Sequence, residues 1–120
     1  MPRFLTLLCA FAFALPISTP SAVAHAFLDH AVPGVGTTVS GPVREIRITF
    51  TQGVVVAFSH VHVVSASGAQ IPVSKPANAG QETLVVRLGR ALAPGTYSVS
   101  WQVVSVDTHT TQGTFSFTVS

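Results

Sequence analysis

Histidine outnumbers carboxylate in this chain. His25, His30, His60, His62 and His109 stand against Asp29, Glu45, Glu82 and Asp107. Imidazole is the commonest protein ligand for metals, so metal binding is the chemistry to test first. Asp107-Thr108-His109 sets a carboxylate two residues before an imidazole. On extended backbone, residues i and i+2 point to one side, so both groups can reach one point. The same tripeptide also suits a turn with a capping Asp. His25 adds to the first reading if the chain is cut after Ala24. An N-terminal His offers its α-amine and Nδ1, which close a six-membered chelate on a metal. Both nitrogens lose their protons readily to a Lewis acid near neutral pH. Amine, two imidazoles and a carboxylate make a nitrogen-rich set that suits tetragonal Cu(II). Zn(II) competes, but it prefers a tetrahedral site and usually draws on Cys or more His. Cu(I) prefers sulfur, and the sole Met and Cys are Met1 and Cys9. His60 and His62 also share a strand face and could bind a metal together. Two polar residues on the solvent side of a half-buried strand give the same pattern. His30 has the opposite parity to His25 and is set aside.

The reading of His25 depends on the first 24 residues, MPRFLTLLCAFAFALPISTPSAVA. Arg3 supplies a positive start, Phe4 to Leu15 is an uncharged run, and Pro16 and Pro20 break it. Ala22-Val23-Ala24 is the small-x-small pattern of a signal-peptidase site. Twelve helical residues reach roughly 18 Å, short of a bilayer core of about 30 Å. Residues 1–24 are therefore expected to be a cleaved signal peptide, and 25–120 the exported domain. Cys9 lies inside the apolar run and not at its end, so no lipid anchor is expected. A cut after Ala26 is a second reading, and it would remove His25. The expected product is periplasmic, not membrane-inserted, and free of sulfur.

The elements that must position these residues are strands. Residues 25–120 hold 18 Val and 11 Thr against 4 Leu, a strand composition. Period-2 alternation recurs in Arg44–Thr51, His60–Ser65, Thr83–Leu88, Thr96–Val104 and Thr114–Val119. Ala26–Val32 and Ile71–Val73 are weaker candidates. Tyr97, Val99, Trp101 and Val103 form one face of the longest run. Turn signals separate the runs at Pro33-Gly34, Gly41-Pro42, Ser67-Gly68, Ala79-Gly80, Pro94-Gly95 and Gly113. Six or seven short strands at this spacing predict an antiparallel sandwich or small barrel. Tyr97, just after Pro94-Gly95, has the placement of a tyrosine corner.

Composition excludes several classes. With 48% hydrophobic and 8% charged residues, the chain is not a disordered one. The net charge of +2 comes from 6 basic and 4 acidic residues with no basic cluster, so nucleic acid is not an expected partner. One Cys makes no internal disulfide. There is no G-x-S-x-G elbow and no P-loop. The four acids show no spacing that suggests a glycosidase pair.

The chain from 25 to 119 resembles the CopC/PcoC family of periplasmic copper-resistance proteins. The resemblance rests on a His after the leader, the Pro33-Gly34 turn, and Ile46–Phe50 leading into a short loop. Its most specific part is LAPGTYSVSWQVVSVDTHTTQGTFSF, Leu92 to Phe117. Gly95, Tyr97, Val99, Trp101, Ser105, Asp107, His109 and Gly113 carry the pattern. The family implies an all-β, seven-stranded antiparallel Greek-key sandwich or barrel, immunoglobulin-like or cupredoxin-like. It implies Cu(II) held by His25 with its amine, by Asp107 and by His109. Thr108 and Thr110 are the nearby candidates for orienting the imidazoles. Gln52 stands where some members carry a Glu ligand, and an amide is a weaker one. The region from about Ser65 to Ala79 has no Met, unlike members with a Cu(I)-binding loop, so a Cu(II)-only protein is expected. The resemblance also implies a CopD-type inner-membrane copper protein as a partner. Because the chain stops at Ser120 after its last strand, a fusion to such a protein is not expected. The expected role is a copper carrier or buffer and not an enzyme. The rivals are a copper monooxygenase with a His brace and a metal-free immunoglobulin-like interaction module.

Overall fold

A computed structural model describes residues 26–120. The expected leader, its cleavage point and His25 lie outside the described residues. The chain forms β1 (Leu28–Val32), β2 (Thr38–Val39), β3 (Glu45–Phe50), a 3-10 turn (Val56–Phe58), β4 (His60–Ser65), β5 (Gln70–Ile71), β6 (Ala77–Asn78), β7 (Thr83–Arg87), β8 (Gly95–Val104) and β9 (Thr110–Val119). One sheet runs β1-β3-β7-β6 and the other β2-β9-β8-β4-β5. The two pack as a sandwich around a single core.

The period-2 runs become strands because alternate residues can be buried on one face. On β3, Ile46, Ile48 and Phe50 are buried. On β8, Tyr97, Val99, Trp101 and Val103 are buried, with Ser98 and Gln102 facing solvent. Phe50 meets Trp101 edge-on across the sandwich at 5.0 Å between ring centroids. Tyr97 does form the corner expected of it: its hydroxyl donates to Ala93 O at 2.6 Å, and its ring stacks on Phe117.

Three details depart from the sequence reading. The described residues hold nine strands: each of the seven expected runs contributes one, and β2 and β6, two residues each, are added. Segments that short cannot carry a periodicity. Nor is the sandwich wholly antiparallel: β2 pairs parallel with β9, Thr38 opposite Thr118 and Val39 opposite Val119. Finally, Gly113 is not a turn. It lies within β9 opposite Trp101. A Cβ there would come within 2.5 Å of the Trp101 ring. Glycine is used at this position so that the indole can lie flat across the neighbouring strand.

Candidate metal centre

β8 and β9 form a ten-pair hairpin, from Gly95 opposite Val119 to Val104 opposite Thr110. Its tip is Ser105 to His109. The period of β8 carries past its end, so Ser105 follows Val103 onto the buried face and is wholly enclosed. Ser105 N donates to His109 O at 2.9 Å, and Thr108 N donates to Ser105 O at 2.8 Å. This tight turn holds Thr108 at φ +72°, a left-handed conformation that is uncommon for a β-branched residue. His109 Nδ1 thereby lies 3.4 Å from Asp107 Oδ1. The two side chains meet as the sequence suggests, but a turn brings them together and not strand parity.

Asp107 Oδ1 collects the donors at this tip. The Ser105 hydroxyl donates to it, and His109 N donates at 3.3 Å. Ser105 Oγ also lies 3.1 Å from His109 O. The Ser105 hydroxyl holds the Asp107 carboxyl below its ordinary value of 3.8; partial desolvation opposes it, and the His109 contacts add to the lowering. Asp107 is therefore anionic at neutral pH, which is the state a metal requires.

The described chain begins beside this tip. Ala26 is fully buried, and Thr111 Oγ1 donates to its carbonyl. Thr111 is two residues past His109. Thr51 N donates to Phe27 O at 2.8 Å, and Phe27 N donates to Thr51 Oγ1 at 3.0 Å. The segment after β3 completes the surroundings. Val106 N donates to Gly53 O at 3.0 Å, Val55 N donates to Val104 O at 2.8 Å, and Val54 bridges Ser105. Gln52 thus sits between Thr51, bonded to Phe27, and Gly53, bonded to the tip. Its Oε1 is buried and has no hydrogen-bond partner among the described residues. A buried amide oxygen left so is costly, and it is a hard donor atom suited to a cation or an N–H group.

Among the described residues, no three His, Cys, Asp or Glu converge on one point. Asp107 and His109 are brought together as a pair, and His25 lies outside the described residues. Thr108 does not turn to an imidazole; its hydroxyl donates to the Asp107 main-chain carbonyl. Ser105, read from the sequence only as part of a motif, instead bonds the Asp107 carboxylate and the His109 main-chain carbonyl. The signal was present: extending the period of β8 by one step places a serine on an otherwise apolar face. His60 and His62 are both exposed on the outer face of β4. His30 Nδ1 pairs with its neighbour Asp29 at 3.0 Å.

The CopC domain model matches residues 28–120. The chain belongs to the CopC family. Protein YobA of Escherichia coli strain K12 is 38% identical over 103 residues, covering 84% of this chain and 83% of that one. Copper resistance protein C of Escherichia coli is 32% identical over 107 residues, covering 82% and 84%. The crystal structure of PcoC, a methionine rich copper resistance protein from Escherichia coli, superposes with a TM-score of 0.74 at 29% identity. It covers 81% of this chain and 100% of that one. The CopC family match accounts for the sandwich and for both strands that carry the Asp107–His109 tip. The likeness to that PcoC structure does not extend to methionine content: this chain has one Met, at position 1.

Proposed function

We propose that this chain is a periplasmic copper-binding protein, and not an enzyme, that holds Cu(II) for copper resistance, buffering or transport. Residues 1–24 are removed as a signal peptide, and 25–120 form the copper-binding domain. The ligands are the α-amine and imidazole of His25, the imidazole of His109 and the carboxylate of Asp107. The observation that carries this reading is the fixed pairing of Asp107 with His109, 3.4 Å apart, beside the point where Ala26 is tied to Thr111. The named relatives point to copper, and the donor set selects the oxidation state. Nitrogen and carboxylate oxygen suit Cu(II), and no thiolate or thioether is present after residue 24 to hold Cu(I). Reduction should therefore release the metal, in keeping with a carrier that hands copper to a CopD-type inner-membrane protein.

The test is a Cu(II) titration of the processed protein, shown by mass spectrometry to begin at His25 and followed by EPR. A protein with one added N-terminal residue is the control. Tight one-to-one binding with a tetragonal, nitrogen-rich spectrum, lost in the control, is the expected result. Equal, weak binding by both proteins would remove the N-terminal chelate.

A further inference from the structure

A second pair of imidazoles lies elsewhere on the same sheet. On β4, His60 and His62 face solvent while Val61 and Val63 enter the core. Strand register puts two rows on that outer face. One runs His60, Gln102, Gln112, and the other His62, Ser100, Thr114. Ser100 and Thr114 are short, and their hydroxyls meet at 3.3 Å. The sheet surface therefore dips between longer side chains. The hollow measures about 450 Å³, and both histidines line it together with these four residues.

We propose that His60 and His62 form a second Cu(II) site, separate from the hairpin tip. Alternate residues on a strand stand about 6.6–6.8 Å apart at Cα, so two imidazoles on one face can close on an ion between them. The Gln102 amide, directly opposite His60, offers an oxygen, and the hollow admits water to the other positions. Two imidazoles with oxygen and water satisfy tetragonal Cu(II). They fall short of Zn(II), whose protein sites use three or four protein ligands. No carboxylate lines the hollow, and Lys75 lines the neighbouring one on the other side of His60. The site is thus weaker than the tip and fills after it. It needs neither a free N-terminus nor leader cleavage.

The test is Cu(II) sulfate titration of the processed protein, read by amide NMR and EPR. The first equivalent should broaden resonances around Ser105 to Thr111. Further Cu(II) should broaden Ser100, Gln102, Gln112 and Thr114 and add a second EPR signal. Both second effects should vanish in the His60→Asn/His62→Asn double variant while the first equivalent is kept. Both positions are exposed, so the amide spectrum should stay dispersed; single His60→Gln and His62→Gln variants cover the case where it does not. His109→Ala should show the reverse: loss of the first effect and survival of the second. The second site should also survive in the protein with an added N-terminal residue, which separates it from the N-terminal chelate. Broadening at Ser100 and Thr114 that persists without His60 and His62, or no second phase at all, overturns the proposal.

Discussion

This chain carries two pairs of candidate ligands spaced i, i+2, and the fold treats them differently. Asp107 and His109 sit on a tight turn at the end of a ten-pair hairpin. A buried serine bonds the carboxylate, and a backbone amide bonds the same oxygen. His60 and His62 stand on regular strand with exposed side chains. Both pairs have the spacing a metal needs. At the tip, hydrogen bonds already order the carboxylate; on the strand, the exposed imidazoles would have to be fixed by a bound metal itself. Spacing alone nominates ligands; the hydrogen bonds behind them are what would set affinity.

The strongest way to break this contrast is His109→Ala. His109 is 59% exposed at its side chain, so its loss should leave the fold intact. Removing a ligand should weaken Cu(II) binding by more than the about 10–100-fold typical of losing an outer partner. A competition titration against a chelator of known affinity measures it. His62→Ala should leave that first equivalent unchanged. If both changes cost the same, the two pairs are equivalent and the tip is not organised.

Ser105→Ala tests the organiser directly. It should cost about 10–100-fold in Cu(II) affinity and leave the His60–His62 pair untouched. It should also move the Asp107 pKa back up toward 3.8, since the serine hydroxyl is the largest cause of its lowering. The sign follows from linkage. A carboxyl whose pKa is lowered by folding adds stability above its ordinary value, and that stability is lost as pH falls through the lowered one. In the parent this loss sets in as pH falls through the ordinary carboxylate value and is complete below the lowered one; in the variant the two values lie closer together, so the term shrinks and acid removes less. Carbonyl-detected NMR of Asp107 on acid titration follows the shift. An unmoved pKa would mean that the serine does not set the carboxylate.

Gly113→Ala probes what both pairs share, the hairpin itself. The new methyl meets the Trp101 ring at 2.5 Å, and overpacking of this kind costs about 1–3 kcal/mol. Urea unfolding should show it. Trp101 lies under the outer face near His60 and His62, so the second copper site should suffer more than the tip.

The legibility of this molecule follows from period. His60–Ser65 was readable residue for residue, because Val61 and Val63 alternate with His60 and His62 in the simplest strand pattern. β8 was readable to within a residue for the same reason. β2 and β6 were not, since two residues carry no pattern. Gly113 misled because glycine signals a turn in sequence, whereas only its contact with Trp101 shows that it makes room. At the tip, the motif named Asp107 and His109, but their meeting was assigned to extended backbone. The turn was hidden because Thr108, a β-branched residue, is not what sequence leads one to place at positive φ.

Thr108→Gly is the smallest expected effect and the sharpest on this last point. At φ +72°, a threonine is strained by about 1–2 kcal/mol. Glycine relieves that strain, but it gains freedom in the unfolded chain worth about 0.4–1 kcal/mol. The Thr108 hydroxyl bond to the Asp107 carbonyl is lost as well. These terms nearly cancel, so thermal unfolding should shift little in either direction. Copper affinity is the informative readout. If Ser105 fixes Asp107, the turn can loosen and affinity should fall by only a few-fold, well short of the Ser105→Ala loss. A fall as large as that of Ser105→Ala would transfer the organising role from the buried hydroxyl to the stiffness of the turn. The contrast with the strand pair would then rest on backbone conformation and not on hydrogen bonding.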